Sequence, residues 1–322
     1  MASNAITDSN VIVVRNLTKK YGRELQIGSR KVGRSIVAVD DVSFSVKKGE
    51  IFGFLGPNGA GKTTTIRSIL GYLNLRSGTI KINDLDYLKD ALEIKKMVGM
   101  VRSEIALYGN FTGEELIKYF GKFRPIDNEF LKKLKSVFKV DLTLKFRSLS
   151  TGNKQQVIII ASLASNPDVI ILDEPSSGLD PLMATRFHDL LLEMKNNGKT
   201  IFLSSHNLPE VQAICDRVGI IRKGKMIVIE KVKDLRRKSM QIMNVEFEDG
   251  QLPELGEFQA VPNVFSVEKK ENTFVVKVKE DVNDLVQFVG SRRIKRMTLE
   301  DSTLEDIFLT YYKDELDHGK EV

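Results

Sequence analysis

The chain has 322 residues, of which 42% are hydrophobic and 29% are charged, so it can bury a substantial core and has a length typical of about two domains. Its 49 lysines and arginines against 43 acidic residues give a formal charge of +6, but this excess is spread along the chain and does not indicate a nucleic-acid partner. The single cysteine, Cys215, excludes an intramolecular disulfide and a cysteine-based zinc cluster, and it favours a reducing compartment.

Nothing in the chain reads as a membrane-spanning or targeting segment. The first ten residues lack the charged start and apolar core of a signal peptide. The longest apolar region, residues 157–172, is interrupted by Ser162, Ser165 and the polar run 166–168, which a lipid-spanning helix of about 18 apolar residues would not carry. We therefore expect a cytoplasmic chain that does not cross a membrane alone.

The first 85 residues predict short strands separated by turn signals at 47–49 and 74–78. The predicted strands are 11–15, 37–46, 51–55 and 79–83. A helical segment at 90–96 leads to a further apolar run at 97–101, and apolar spacing predicts helix from 112 to 140.

A glycine-rich loop follows the apolar run 51–55 and precedes a helical stretch. It comprises Gly56, Pro57, Asn58, Gly59, Ala60, Gly61, Lys62 and Thr63, with Thr64 opening the helix. This is the complete phosphate-loop pattern in its required setting, where backbone N–H groups and the helix N-terminus cradle phosphates, the lysine reaches the β and γ phosphates, and the threonine hydroxyl ligates magnesium. A purely structural glycine turn would not supply Lys62 and Thr63 in register.

Two continuous apolar runs, 169–172 and 200–203, each follow a helical stretch, which predicts buried strands of a parallel sheet. The first run ends in two carboxylates, Asp173 and Glu174. Because ligands bind at the carboxyl edge of such sheets, we expect Asp173 to support magnesium and Glu174 to orient and polarise an attacking water. The alternative is a strand that ends in ordinary surface acids.

Beyond a strand pair at 218–221 and 225–229, the run 234–238 looks like a domain boundary. The remaining segments predict a small α+β module closed by an amphipathic helix around 304–312. Its strands and helix are 242–247, 264–269, 274–278, 282–289 (helix) and 294–299. We therefore predict one domain over 1–238, with a helical subdomain at about 103–165, and an accessory domain over 239–322.

The order of motifs resembles the ATP-binding subunits of ABC transporters. The run from Leu149 to Gln156 is similar to that family's Leu-Ser-Gly-Gly-Gln signature at Leu149, Ser150 and Gly152, with Thr151 and Asn153 as departures. The resemblance implies that Ser150 and Gly152 open a helix and cap the γ phosphate of ATP bound by the opposite subunit. A simple N-cap at Ser150 is the structural alternative, and both can hold at once.

Further family elements follow in order. The run 177–180, ending in Asp180, resembles the dimer-contact loop, and His206 resembles the switch histidine that contacts the γ phosphate and positions Glu174. Tyr21 matches the position of the aromatic ring that stacks on adenine, ahead of an apparent insertion at 23–34. Where the family normally has a glutamine, the aligned residue is Ser103, whose shorter side chain would reach magnesium and water only through a bridging water or a shifted loop.

The resemblance implies an α/β phosphate-loop ATPase core of the ABC type, with an antiparallel β subdomain, a helical subdomain and a small C-terminal α+β domain similar to those of drug and antibiotic exporters. Run 302–309 looks like that group's closing helix. The resemblance to ABC ATPases implies ATP and Mg²⁺ as cofactors, and catalysis by Glu174, His206 and Lys62. It also implies a head-to-tail dimer with a second copy of the chain or a homologous ATPase subunit. A separate membrane-spanning partner is expected to dock near 103–123, at the cytoplasmic face of the membrane.

Two alternatives stay open at this point. One is an ABC-type ATPase that acts on ribosomes or DNA, although such relatives usually carry two cassettes or long coiled-coil insertions and this chain has neither. The other is a weakly hydrolysing ATP-binding scaffold, which Ser103 favours and the presence of Glu174 and His206 disfavours.

Overall fold

The computed structural model describes residues 10–22, 25–27, 30–32, 35–102, 109–238, 240–248, 252–279 and 281–301. The chain divides into two compact units, Met1–Glu230 and Lys231–Val322. This division lies near the domain boundary at residue 238 suggested by the sequence, which stays a prediction. Within the described ranges, no helix is both long enough and apolar enough to cross a bilayer.

In chain order, the first unit contains β1 (Asn10–Tyr21), β2 (Leu25–Ile27), β3 (Arg30–Val32), β4 (Ile36–Lys47), β5 (Ile51–Leu55), α1 (Lys62–Ile69), β6 (Ser77–Ile82), β7 (Leu85–Asp86), α2 (Ala91–Met97), β8 (Val98–Arg102), α3 (Gly113–Gly121), α4 (Asn128–Val137), α5 (Thr151–Leu163), β9 (Val169–Asp173), α6 (Pro181–Asn196), β10 (Thr200–Ser205), α7 (Leu208–Ile214), β11 (Arg217–Arg222) and β12 (Lys225–Lys231). A short 3-10 helix, Phe146–Ser148, precedes α5.

A six-stranded sheet runs through this unit in the order β12-β11-β5-β10-β9-β8. Strand β5 pairs in parallel with β10 and β11, and β9 pairs in parallel with β8 and β10. Every residue of β5, β9 and β10 is buried, as expected for apolar strands without alternation. The predicted parallel sheet is confirmed.

A second sheet in the same unit has the order β4-β1-β6-β7, with β1 antiparallel to both β4 and β6. The two sheets share a core in which Phe44 of β4 stacks on Phe52 of β5 and Phe202 of β10, with ring centroids 5.6 and 5.5 Å apart. Strands β2 and β3 form a separate antiparallel pair within the apparent insertion.

The segment predicted to be helical from 112 to 140 consists of two helices, α3 and α4. Thr112 and Glu115 form a capping box that begins α3, and the Asp127 carboxylate accepts from the Phe130 N–H to begin α4. Pro125 lies between them, and its missing N–H and its restriction of the preceding residue stop a helix from running through. The amphipathic spacing alone concealed this break.

The second unit contains α8 (Val232–Lys238), β13 (Met240–Phe247), α9 (Leu255–Gln259), β14 (Val264–Lys270), β15 (Thr273–Lys279), α10 (Asn283–Gly290) and β16 (Ile294–Asp301). The strands form an antiparallel sheet in the order β14-β15-β13-β16 over a core that includes Phe247, Phe258 and Phe274. The predicted α+β module is confirmed, while the short helix α9 was missed. The predicted closing helix at 302–309 lies outside the described residues.

Candidate functional site

The glycine loop between β5 and α1 packs so closely against neighbouring backbone that a side chain would not fit at some of its positions. A Cβ atom at Gly56 would lie 2.3 Å from the carbonyl oxygen of Ile221. Gly61 has a φ of 112°, a left-handed conformation that glycine adopts without strain, and it directly precedes Lys62, the first residue of α1. The loop therefore presents the N-terminus of α1 as a site for an anion.

The other loop residues line the same turn. Asn58 and Gly59 are exposed at its tip, whereas Ala60 is buried and donates its N–H to the Pro57 carbonyl at 3.1 Å. Thr64 lies in the first turn of α1, where its carbonyl accepts from Ser68 at 2.8 Å.

The ammonium of Lys62 is buried within this loop. Its Nζ donates to the Gly56 carbonyl at 2.7 Å and to the Pro57 carbonyl at 3.2 Å, and it lies 3.1 Å from a carboxylate oxygen of Glu174. One positive charge thus connects the glycine loop with the acidic end of β9. This side chain can contact negative charge at the mouth of the loop.

Asp173, the last residue of β9, is joined to α1. The Thr63 hydroxyl donates to Asp173 Oδ1 at 3.2 Å, and the Ser204 hydroxyl of β10 donates to the same oxygen at 2.7 Å. A threonine hydroxyl and a carboxylate oxygen side by side are the hard oxygen ligands that Mg²⁺ takes when phosphates and waters supply the rest. The residues present therefore fit this ion, with Thr63 and Asp173 to hold it.

Glu174 and His206 meet at the next turn. Glu174 has a φ of 48°, in the left-handed region, and its N–H donates to the carbonyl and hydroxyl oxygens of Ser204 at 3.2 and 3.1 Å. Its second carboxylate oxygen lies 3.1 Å from Nδ1 of His206. A non-glycine residue in this conformation is held by its surroundings, which is common at functional sites. The carboxylate is thus fixed between Lys62 and His206.

The predicted signature segment begins a different helix. Ser150 is the N-cap of α5, and its hydroxyl accepts from the Asn153 N–H at 3.3 Å; Gly152 is the second residue of that helix. Gln155, the fifth residue of α5, donates to the Pro175 carbonyl at 2.8 Å, which ties α5 to the loop that follows Glu174. Asp180, at the end of this loop, caps α6 by accepting from the Met183 N–H at 2.9 Å. The capping roles are observed, and contact of these residues with nucleotide stays a prediction.

Tyr21 ends β1 and is 40% exposed. It pairs with Ile36 across the sheet, and the nearby Ala38 carbonyl approaches the Cβ position of Gly61 at 2.7 Å. The aromatic ring is therefore carried at the end of β1, which pairs with β4, the strand that borders the glycine loop. The ring also lies 5.2 Å from the Lys19 ammonium.

Ser103 lies outside the described residues. The strand before it is described, and Arg102, its last residue, pairs in register with Asp173. The chain therefore leaves β8 beside the acidic end of β9.

A cluster of polar side chains behind Glu174 and His206 was not found from the sequence. Two serines at the end of β10, Ser204 and Ser205, contact Asp173 and Glu210 respectively. Polar residues at the end of an otherwise apolar strand were the available signal. Glu210 itself is buried; burial acts to raise its pKa, but hydrogen bonds from His188, Ser176 and Ser205 outweigh this, so the pKa lies below its ordinary value.

Comparison with known protein families gives two matches that together span much of the chain. A family model described as ABC transporter matches residues 39–177, and one described as the C-terminal domain of DrrA1-3-like ATP-binding proteins matches residues 231–312. The first match contains the glycine loop, Ser150, Asp173 and Glu174. The second falls on the α+β unit.

Individual proteins agree with these matches. The uncharacterized ABC transporter ATP-binding protein MJ1023 of Methanocaldococcus jannaschii is 38% identical over 240 residues, which cover 72% of this chain and 81% of that protein. The bacitracin transport ATP-binding protein BcrA of Bacillus licheniformis is 35% identical over 245 residues, which cover 75% and 76%. Among solved structures, the dimeric post-hydrolysis state of the ATP-binding cassette MJ0796 bound to ADP and Pi has a TM-score of 0.57 and 25% identity, covering 69% of this chain and 98% of that one.

Proposed function

The chain belongs to the ABC transporter family of ATP-binding proteins, which are ATPases, and we propose that it energises export through a separate membrane-spanning protein. The observation that carries the assignment of the catalytic site is the continuous set of contacts from Lys62 through Glu174 to His206. Support for export comes from the bacitracin transport relative and from the DrrA-like C-terminal unit.

ATP binds with its phosphates at the glycine loop. The N–H groups at the start of α1 and the Lys62 ammonium would stabilise the negative charge of the β and γ phosphates during hydrolysis. Mg²⁺ held by Thr63 and Asp173 would neutralise charge on the phosphate oxygens. The Tyr21 ring would stack on the adenine.

Glu174 is the residue placed to direct the attacking water. Its carboxylate can accept a hydrogen bond from water and turn the water oxygen toward the γ phosphorus. As the new P–O bond forms, the bond between the γ phosphorus and its bridging oxygen breaks and the Glu174 carboxylate takes up a proton from the water, so that ADP and phosphate are the products. His206, hydrogen-bonded to Glu174, would hold the carboxylate in this orientation and contact the γ phosphate.

A second copy completes each site. Ser150 and Gly152 stand at the N-terminus of the 13-residue helix α5, and such an end is suited to bind the γ phosphate of ATP on the partner. Two ATP molecules would then be enclosed head to tail between two subunits. Loss of the γ phosphate would remove its contacts with the N-terminus of α5 on the partner and let the subunits separate.

The membrane partner would dock on the helical subdomain at the membrane's cytoplasmic face, where the sequence suggested 103–123. A groove of about 460 Å³ lies there, lined by Asn110, Phe111, Glu115, Lys118, Tyr119 and Lys122. Phe123, 65% exposed, lies with its ring centroid 5.3 Å from that of Tyr119. An aromatic surface with two flanking ammonium groups suits a short amphipathic helix that carries acidic residues.

The catalytic assignment is tested by Glu174→Gln, which keeps the shape of the side chain and removes its charge. We expect ATP hydrolysis to fall by at least about 10²-fold while ATP binding persists, because the loss of a general base has this magnitude. Glu193→Gln is the matched control, because it makes the same chemical change at an exposed residue of α6. Among the ion pairs of the described residues, Glu193 pairs only with Lys133. Equal hydrolysis rates for Glu174→Gln and the wild type would remove the assigned role.

The docking surface is tested by Phe123→Asp in cells that coexpress a candidate membrane subunit. We expect loss of the ATPase from the membrane fraction with no change in its ATPase rate in solution. Phe265→Asp, a change of the same kind on the other compact unit, serves as the control. Retention of the Phe123 variant at the membrane would contradict docking at this groove.

A further inference from the structure

Four polar side chains from four separate segments meet behind the proposed catalytic pair. Ser176 lies in the loop after β9, His188 on α6, Ser205 at the end of β10, and Glu210 on α7. The Glu210 carboxylate is their common partner: one oxygen accepts from the Ser176 hydroxyl and lies 3.1 Å from His188 Nε2, and the other accepts from the Ser205 hydroxyl at 2.5 Å. We call these four residues the Glu210 network.

The Glu210 network is largely buried. The Glu210 side chain is 8% exposed and that of His188 is 18% exposed. Burying a carboxylate is costly unless several hydrogen bonds satisfy its oxygens, and here three side chains do so. An apolar side chain of similar size would avoid this cost, so packing alone does not account for a carboxylate at this place.

The position of the two serines is informative. Ser176 lies two residues beyond Glu174, and Ser205 directly precedes His206. Glu174 and His206 lie on different loops, and the hydrogen bond of 3.1 Å between them depends on how these loops are held. The Glu210 carboxylate therefore joins the two loops through Ser176 and Ser205, which lie close in the chain to the hydrogen-bonded pair.

We propose that Glu210 is a positioning residue for hydrolysis, which holds Ser176 and Ser205 together and so fixes Glu174 against His206. His188 supports this role by donating to the same carboxylate from α6, the helix that Asp180 caps. The inference rests on the proposed roles of Glu174 and His206. It assigns no contact with ATP to any member of the network.

The test uses the full chain with Ser176→Ala, which removes one hydroxyl and little volume. We expect the single-turnover hydrolysis rate at saturating ATP to fall about tenfold, less than the roughly 10²-fold cost of a 1 Å misplacement of reacting groups. ATP affinity should stay unchanged, because no member of the network is proposed to contact ATP. Ser176→Thr, which keeps the hydroxyl, should restore the rate.

A double-mutant cycle separates positioning from folding. In a His206→Ala background the pair to be positioned no longer exists, so Ser176→Ala should cause no further loss. A purely structural role would lower the rate by the same factor in both backgrounds. Glu210→Gln can take the place of Ser176→Ala in this cycle. It too should lower the hydrolysis rate of the wild type and cause no further loss in the His206→Ala background.

Ser162→Ala is the matched control, since Ser162 on α5 is a buried serine whose hydroxyl has no hydrogen-bond partner among the described residues. Its rate should equal that of the wild type. Wild-type rates for both Ser176→Ala and Glu210→Gln, or equal losses in the two backgrounds, would overturn the positioning role alone. Wild-type rates for His206→Ala and Glu174→Gln would instead overturn the catalytic assignment, and the inference with it.

Discussion

A Cβ atom at Gly152 would lie 2.8 Å from the carbonyl oxygen of Gly178, so the start of α5 packs directly on the loop that leads to Asp180. The neighbour is backbone, which cannot rotate away as a flexible side chain would. Gly152→Ala should therefore displace the N-terminus of α5, with an overpacking cost of about 1–3 kcal/mol. We expect ATP-dependent dimerisation and hydrolysis to be lost in this variant, measured by size-exclusion chromatography with Glu174→Gln in the background and by phosphate release without it.

The control for this substitution is Gly256→Ala in α9, where an added Cβ meets nothing within 4 Å. This variant should hydrolyse ATP like the wild type. Normal dimerisation and hydrolysis by Gly152→Ala would show that the start of α5 tolerates displacement and takes no part in the shared site.

Ser204 supplies a second prediction, because its hydroxyl donates to the carboxylate oxygen of Asp173 that also accepts from Thr63. Groups that orient a metal ligand commonly contribute about 10- to 100-fold to metal affinity. Ser204→Ala should therefore raise the Mg²⁺ concentration for half-maximal ATPase activity by about tenfold. Ser162→Ala should leave the Mg²⁺ titration unchanged, and an unchanged titration for Ser204→Ala would argue against Asp173 as a magnesium ligand.

The parallel sheet was predictable because its central strands are apolar without alternation and are bounded by turn residues. The break between α3 and α4 was not predicted, since amphipathic spacing continues on both sides of Pro125 and outweighed the two signals for a break, Pro125 and the N-cap residue Asp127. Helix α9 was missed for another reason. At five residues, Leu255–Gln259 is too short to show a helical period.

The site was predictable where its residues are neighbours in the chain, as Lys62 and Thr63 are, or where a buried strand ends, as at Asp173. The Glu210 network was not predictable, because Glu210 and Ser176 are 34 residues apart and no local pattern encodes their contact. The pairing of β9 with β10 brings the two loops together. The contact is therefore a property of the fold.

Tyr21 supplies a third prediction. If its ring stacks on adenine, Tyr21→Ala should lose about 1–3 kcal/mol of ATP binding, which is roughly a 5- to 150-fold rise in Kd. Tyr21→Phe keeps the aromatic face and should bind like the wild type. Tyr72 is a matched control, as an exposed tyrosine with the Arg102 guanidinium 4.7 Å from its ring centroid, and Tyr72→Ala should leave ATP affinity unchanged.

Glu210 also predicts a pH dependence of stability. Removing the charge from a hydrogen-bonded buried carboxylate should cost about 1.5–3 kcal/mol of unfolding free energy at pH 7, so Glu210→Gln should be less stable than the wild type. The difference between the two proteins is the informative quantity. The raised pKa of Glu50, caused by burial, and the lowered pKa of Asp127, caused by its backbone hydrogen bond from Phe130, are common to both and cancel.

The sign of this pH effect follows from the direction of the shift. Hydrogen bonds from His188, Ser176 and Ser205 overcome burial and lower the pKa of folded Glu210 below its ordinary value of 4.5, so the unfolded chain takes up a proton first as the pH falls. The stability that the charge contributes is complete above the ordinary pKa and is lost as the pH falls through the folded pKa. Urea unfolding followed by circular dichroism should therefore show the wild type and Glu210→Gln converging on acidification. A difference that stayed constant from neutral pH to well below 4.5 would mean that the Glu210 carboxylate is not held in its charged form by the network.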